Sequence, residues 1–208
     1  MARNLRRFNT EADYSAATLN YPAVSWVTGA NAVHFDATAP ATFGGLTVHY
    51  LIDQSVAGSN VSLFNGGGDS ESGGGDSESG GGGALPSAMY VDGVEETVVN
   101  SWVFETVGEH IVQYTFEDNT VPTQFLESIG NLNEAIIGTD ITNIGSAAFN
   151  VELTNGATCL STTPPSITDS SAFGAGMGQV YPIYVPAASV TAYQTAWSNL
   201  ASRIEAIQ

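Results

Sequence analysis

The chain has 208 residues and a formal net charge of −17, from 21 acidic residues against four basic ones. It contains no lysine, and its only basic residues are Arg3, Arg6, Arg7 and Arg203. From residue 8 onward the 21 acids face Arg203 alone, a net charge of about −20 (1 − 21). Recognition of nucleic acid needs a basic surface, so we expect no nucleic-acid partner for the body of this protein.

Export and membrane insertion are also not expected. The early arginines are followed by Glu11 and Asp13, which interrupt the apolar run that a secretory signal requires. No apolar stretch of the sequence is long enough to cross a bilayer. Cys159 is the only cysteine, so no disulfide can form within one chain, and we expect a buried, unreactive thiol.

Residues 1–65 are predicted to form a small N-terminal β unit that begins with a short helix. Thr10 is a suitable N-cap, and the turn chemistry of TGAN, residues 28–31, predicts a hairpin between the strands on either side. A unit of this size buries little surface, so we expect it to need a partner. The predicted elements are a helix over 10–18 and strands over 23–27, 32–35, 46–52 and 60–64.

Residues 66–83 read GGGDSESGGGDSESGGGG, a seven-residue unit written twice and followed by glycine. The segment has no apolar side chain and no proline, which predicts a flexible linker between two separately folded parts. A chain of this length spans about 20 to 25 Å on average. The repetition is so regular that either a natural or an engineered linker is consistent with it.

Residues 84–119 are predicted to form a small antiparallel, immunoglobulin-like β unit. Asp92 and Gly93 form a turn signal between two short apolar runs. A second pair of runs, 97–104 and 110–116, flanks ETVG, and residues 111–116 alternate as a half-buried strand does. We expect residues 84–208 to fold without the N-terminal part.

Residues 120–208 carry an internal repeat. NIGSAAF, residues 143–149, aligns with ITDSSAF, residues 167–173, and FLESIGNL, residues 125–132, is a weaker copy. The spacing from Phe149 to Phe173 gives a period in the twenties, which together with isoleucine or leucine at fixed offsets is typical of leucine-rich repeats. We expect these two phenylalanines to occupy equivalent buried positions in stacked units.

The final segment, YPIYVPAASVTAYQTAWSNLASRIEAIQ, predicts a strand over 181–185 and a helix that opens at Pro186. Val190, Tyr193 and Trp197 form an apolar stripe suited to closing the end of a stack. This stretch resembles the C-terminal end of BspA-like leucine-rich-repeat proteins, in which IGxxAF repeats precede a TPP loop and an IYVPxxSVxAYxxAWS cap. The matching residues are Ile144, Gly145, Ala148 and Phe149, then Thr163, Pro164 and Pro165, then Ile183 to Ser198.

The BspA-like resemblance covers about residues 120–208 and implies a short solenoid with a helical cap. Only two or three repeats are present, fewer than in larger family members, so the resemblance does not imply a broad concave binding face. The repeat and cap residues predicted to be structural are Ile144, Phe149, Phe173, Tyr193 and Trp197.

The opening, RRFNTEADYSAATLNYPAVSWVTGANAVHF, is similar to the start of virion proteins of tailed phages of gut Bacteroidales, including crAss-like phages. Those proteins join a short N-terminal piece to a variable distal module. The resemblance implies that this part attaches to a capsid or another virion protein. The candidate anchor contacts are Arg3, Arg6, Arg7, Phe8, Tyr14 and Trp26.

No residue pattern predicts catalysis, a metal or a cofactor. His34, His49 and His110 fall in separate predicted strands without metal-ligand spacing. GAGMGQ, residues 174–179, leads into a strand, whereas a dinucleotide fingerprint follows one. The DSES acids lack the fixed geometry of a calcium site, and no acid pair can be placed for glycoside hydrolysis. We expect a protein that is not an enzyme.

The sequence therefore predicts a mainly β virion protein, such as a head fibre or decoration protein, that displays a C-terminal binding module. Its expected partners are itself, as a homotrimer, a capsid or other virion protein, and a host surface polysaccharide or protein. Its expected location is the assembled particle. The alternative is a bacterial surface or secreted BspA-like adhesin, which would have to cross a membrane.

Overall fold

The computed structural model describes residues 6–8, 24–27, 32–35, 43–65, 85–175, 178 and 180–207, and for the first three segments it describes the backbone only. No helix in these parts of the chain is long and apolar enough to cross a membrane. The predicted helix over 10–18 and the linker 66–83 lie outside the described residues.

The first three strands form a sheet of their own: β1 Arg6–Phe8, β2 Val24–Val27 and β3 Ala32–Phe35. Strand β2 pairs antiparallel with β3, with Trp26 opposite Val33, so the predicted hairpin is confirmed. Strand β1 adds to β2 in parallel, with Arg7 opposite Trp26.

Thirteen further strands complete the described β-structure, and the expected mainly β fold is confirmed. They are β4 Leu46–Ile52, β5 Asn60–Ser62, β6 Ala88–Val91, β7 Val94–Glu96, β8 Ser101–Val103, β9 Gly108–Thr115, β10 Thr120–Val121, β11 Leu132–Ile137, β12 Asn143–Ile144, β13 Ala157–Cys159, β14 Ser166–Ile167, β15 Ile183–Val185 and β16 Ile204–Ala206. Eight of them form the main sheet, in the order β16-β15-β13-β11-β4-β9-β6-β7.

Strand β4 lies in the middle of the main sheet. It pairs antiparallel with β9 along its whole length and antiparallel with β11 on its other side. Its residues alternate, so Leu46, Val48 and Tyr50 point into the core and are fully buried. Where β4 begins and β11 ends, Gly138 approaches the backbone of Gly44 and Gly45 so closely that a Cβ atom would lie 2.3 Å from a carbonyl oxygen.

The central position of β4 corrects the predicted domain boundaries. We predicted that linker 66–83 separates two folded parts, but β4 precedes the linker and β9 and β11 follow it, within one sheet. The boundary at residue 65 is therefore wrong, because residues 43–65 complete the sheet of the C-terminal part. The expectation that residues 84–208 fold alone does not fit this arrangement, since they lack the central strand.

Residues 84–119 do not form a unit of their own either. The Asp92–Gly93 turn joins β6 to β7 as predicted, and positive φ at both residues, 50° and 78°, suits a tight two-residue hairpin. Strand β6 also pairs with β9. Strand β8, however, pairs with β5 and not with β9, so the second predicted pair of strands separates into two sheets.

Beyond β11 the main sheet continues with parallel strands only. Strand β11 pairs with β13, β13 with β15 and β15 with β16, each in parallel. A second, three-stranded parallel sheet runs β10-β12-β14, with Val121 opposite Ile144 and Ile144 opposite Ile167. The two parallel sheets are built from the same successive segments of chain.

A third row of backbone contacts joins those segments. The amide of Leu126 donates to the carbonyl of Ala148 at 2.8 Å, and the amide of Phe149 donates to the carbonyl of Ala172 at 2.7 Å. The 3₁₀ turn Ser170–Phe173 is capped by Asp169, whose carboxylate accepts from the Ser171 amide at 2.7 Å.

The chain ends in a compact cap. After β15, Pro186 precedes a 3₁₀ turn, Ala187–Ser189, and the α-helix Val190–Ala196. The helix was predicted to open at Pro186, but Pro186 has an extended backbone, with ψ 132°, and the α-helix begins at Val190 after the 3₁₀ turn. A further 3₁₀ segment, Ser198–Arg203, leads into β16 at the edge of the main sheet.

Candidate functional site

The predicted anchor contacts are described only in part. Arg6, Arg7 and Phe8 lie in β1, and Trp26 lies in the adjacent strand β2, so the backbone brings these four positions together in one small sheet. Arg3 and Tyr14 lie outside the described residues. The assignment of all six as anchor contacts stays a prediction.

The predicted repeat and cap residues are all buried, and four of them lie near one another. The rings of Phe149 and Phe173 stack with centroids 5.3 Å apart, and Phe173 lies 5.1 Å from Trp197. Tyr193 packs edge-on against Trp197, and the Trp197 indole donates to the carbonyl of Pro165 at 3.0 Å. Ile144 lies in β12 of the second sheet. We call Phe149, Phe173 and Trp197 the aromatic column.

One cluster of side chains resembles catalytic machinery at first sight. His110 places Nδ1 2.8 Å from Asp92 Oδ2, and its Nε2 lies 3.3 Å from the hydroxyl of Thr106. However, Nε2 is closer to the carbonyl oxygen of Thr106, at 2.9 Å, so the two ring nitrogens face a backbone acceptor on one side and the Asp92 carboxylate on the other. Asp92 also accepts from the amide of Ile111 at 2.9 Å. The cluster therefore holds the 92–93 turn against the turn that precedes β9.

His49 occupies a different place, on the face of β4 opposite the core. Its Nδ1 lies 3.0 Å from Glu109, which also accepts from Asn133 at 3.2 Å. This contact joins the three central strands β9, β4 and β11 on one face of the sheet. His49 is therefore a structural residue of the sheet, where it links neighbouring strands.

Groups that could react or bind metal are buried or dispersed in the described residues. Cys159 is a free, buried thiol, as expected, and burial raises its pKa, which keeps it protonated and unreactive. The described residues contain no group of three histidine, cysteine or acidic side chains placed to hold a metal ion.

A polar groove of about 560 Å³ opens beside β5. One wall is the turn that follows β4 together with β5, and the other is the segment 127–131 that precedes β11. The backbone amide of Leu51 donates to the carbonyl of Asn131 at 2.8 Å, which holds the second wall beside β4. Asn65 crosses between the walls, because its side chain donates to the carbonyls of Gln124 and Glu127.

Apart from Glu127, the groove presents uncharged hydrogen-bonding groups. Its polar side chains that make no hydrogen bond with the described part of the protein are Ser59, Asn60, Ser62, Ser128 and Asn131. Asn60 and Ser62 alternate with buried Val61, so both project from the exposed side of β5. The apolar residues of the lining are half-buried Val56 and the buried Val61 and Ile129. None of the described lining residues is basic.

Two lining residues have left-handed backbone conformations: Ser128 at φ 59° and Asn131 at φ 63°. Asparagine tolerates this region, whereas serine adopts it less often. Such residues persist where the surrounding structure holds them, and they concentrate at binding sites. Here Ser128 is held by its amide, which donates to the carbonyl of Asn150 at 3.1 Å.

Sequence reasoning missed the groove. Its two walls contain serine, asparagine and glycine, which the sequence marks only as ordinary turn composition. They are separated by the linker and by β6 to β10, and the pairing of β4 with β11 and the hydrogen bonds of Asn65 bring them together. No signal within either segment indicates the other.

Comparisons with known proteins add no identification. Models of protein families, curated proteins and solved structures were each compared with the chain, and none matches it.

Proposed function

We propose that this chain is a phage virion structural protein, a head fibre or decoration protein, anchored by its N-terminus. The similarity of residues 6–35 to virion proteins supports the anchor, and the small sheet β1-β2-β3 supplies a compact element for it. The displayed module is the body formed by residues 43–65 and 85–207. It acts by binding, without turnover, and no cofactor takes part.

The finer fold proposed for residues 120–207 is a short BspA-like leucine-rich-repeat solenoid closed by the C-terminal cap. The observation that carries this proposal is the repetition of parallel rungs, in which Val121 lies opposite Ile144 and Ile144 lies opposite Ile167. The aromatic column repeats in the same way along the chain and ends at Trp197, directly after the cap helix. Each unit leaves an apolar side to be covered by the next, so Trp197 is the proposed closing residue.

The proposed role of the linker changes with the sheet topology. In sequence, residues 66–83 connect two parts of one folded body, so we do not assign them the role of a tether between anchor and module. The connection between anchor and module is then the short segment that leads from β3 to β4.

The test is to purify particles from infected cells and identify their proteins by mass spectrometry. We expect this chain in the particles, and we expect a variant without residues 1–20 to be absent from them while remaining soluble and folded. Normal incorporation of that variant would refute the anchor. Recovery of the chain on the bacterial surface and not in particles would favour the second candidate, an adhesin, to which the BspA-like resemblance also points.

We further propose that the chain is a homotrimer. The small N-terminal sheet has edges at β1 and β3, and pairing between copies would cover them. Light scattering of the full chain at micromolar concentration is expected to give three times the mass of the 21.6 kDa chain. A folded monomer at that concentration contradicts the proposal.

A further inference from the structure

We propose that the groove between β5 and segment 127–131 is a binding site for a neutral saccharide. This inference deepens the adhesive role proposed above and rests on it. The groove has a volume of about 560 Å³, within the range of about 300 to 1,000 Å³ usual for small-molecule sites. It is open to solvent along β5, so the end of a longer glycan can enter it.

The chemistry of the lining selects the ligand class. Side-chain amides of Asn60 and Asn131 both donate and accept, and the hydroxyls of Ser62 and Ser128 do the same. Sugar hydroxyls need such partners. The described lining contains no arginine or lysine to bind phosphate, sulfate or carboxylate, and Glu127 adds a negative charge. Anionic ligands are therefore disfavoured, as they are by the acidic body as a whole.

The apolar part of the lining is small. Val61 and Ile129 are almost fully buried in the core, and half-buried Val56 offers most of the limited surface against which the C–H face of a sugar ring can pack. An acyl chain or an aromatic ligand would leave the surrounding amides and hydroxyls without hydrogen-bond partners, which costs binding energy. A neutral sugar can form hydrogen bonds with the polar side chains through its hydroxyls and can pack its C–H face on the small apolar part of the lining.

The groove is also preorganised. Asn65 joins its walls through two backbone carbonyls, and Glu127 is held by Asn150 at 2.9 Å and by Gln124. Walls fixed before binding lose less conformational freedom when the ligand enters. Single sites of this kind bind weakly, and many copies on one particle convert weak binding into avidity.

The experiment is saturation-transfer NMR on the full chain, with glucose, galactose, mannose and N-acetylglucosamine as neutral probes and glucuronate and glucose 6-phosphate as anionic ones. The test variant combines Asn60→Ala and Ser62→Ala. The matched control combines Ser198→Ala and Asn199→Ala, the same residue types at exposed positions of the cap. A third variant, Ser128→Gly, removes a lining hydroxyl and suits the left-handed backbone.

At least one neutral sugar is expected to bind, and the anionic sugars are not. Each lost hydrogen bond is expected to weaken binding by about 2- to 12-fold. The double variant in the groove therefore loses most of the signal, Ser128→Gly loses part of it, and the control keeps it, with unchanged melting showing that each variant is folded. Binding that is equal in wild type and the groove variant, or no binding of any neutral sugar, overturns the proposal. Incorporation into particles depends on the anchor and is measured separately. A negative sugar-binding result would therefore overturn the saccharide site without contradicting the virion proposal.

Discussion

The two halves of the main sheet are built in different ways. From β11 to β16 the strands are parallel, and each pairs with the strand of the neighbouring repeat segment, as in Ala157 opposite Ile183 and Ile183 opposite Ile204. On the other side of β11 the strands are antiparallel. There β4 pairs with two strands from beyond the linker, with His49 opposite Ile111 of β9 on one side and opposite Glu134 of β11 on the other.

The two halves differ in how far apart in sequence their paired strands lie. In the parallel half each segment stacks on the one before it, and the interactions repeat with the sequence. In the antiparallel half the central strand comes from the far side of the linker, and closing so long a loop costs entropy before any contact forms. We therefore expect the body to unfold as one cooperative unit, because its middle strand, β4, is far in sequence from the strands that it pairs with.

The largest expected effect is the loss of β4. A fragment of residues 84–208 should show no cooperative melting, because it lacks Leu46, Val48 and Tyr50, all of which are fully buried. Truncating one such side chain costs about 2 to 5 kcal/mol, and the whole stability of a domain is about 5 to 15 kcal/mol. Circular dichroism melting tests this, and adding a peptide of residues 43–65 should restore a transition. A sharp melt of the fragment by itself would show that the parallel half is self-sufficient.

The next effect concerns the end of the parallel half. Trp197→Ala in the full chain should lower the free energy of unfolding by about 3 to 5 kcal/mol, because the ring is buried against Phe173 and Tyr193. Trp102→Ala is the matched control, since Trp102 lies half-buried in β8 and should cost less. Chemical denaturation measures both. Equal losses would mean that Trp197 does not close the stack.

A smaller effect should appear at alkaline pH, and in both halves. Burial raises the pKa of Tyr50 and Tyr114 in the antiparallel half and of Tyr181 and Tyr193 in the parallel half. A raised pKa in the folded state means that the stabilising contribution is complete below the unfolded pKa of about 10 and is lost as the pH rises above it. For each of the fully buried Tyr50 and Tyr114, each pH unit above that value should cost at most about 1.4 kcal/mol.

Phenolate absorbance and near-ultraviolet circular dichroism, followed together, check the alkaline transition. The buried tyrosines should ionise only as tertiary structure is lost. Tyr50→Phe removes one of these groups and should make the stability of the body less sensitive to pH, although it also removes the hydrogen bond from the Tyr50 hydroxyl to the carbonyl of Leu63, 2.6 Å long. Ionisation of all tyrosines near pH 10 with the fold intact contradicts the burial of these phenols.

The smallest effect is expected in the linker that joins the two parts of the body in sequence. Deleting one GGGDSES unit shortens this loop and should stabilise the body by only about 0.4 kcal/mol, from the logarithmic dependence of loop-closure entropy on length. Changing Glu71 and Glu78 to glutamine should alter stability even less. Urea denaturation measures both variants. A loss of more than about 1 kcal/mol would show that the linker makes contacts that its composition does not predict.

The sequence by itself determined the local elements. It predicted the hairpin of β2 and β3, strand β4 at residues 46–52 and the Asp92–Gly93 turn, and also the helix after Pro186. The repeat spacing and the apolar stripe of the cap likewise identified Phe149, Phe173 and Trp197 as buried positions. All of these depend on residues close together in the chain, where alternation, turn chemistry and periodicity act directly.

Only the tertiary structure decided which strands are neighbours. Because the linker looks like a boundary between domains, local patterns assigned β4 to the N-terminal part and paired the strand over 97–104 with the wrong partner. The same limitation hid the groove, whose walls meet through the pairing of β4 with β11 and through Asn65. An alternating strand specifies which of its faces is buried but not which strand lies beside it, and that choice is made by packing across the whole sheet.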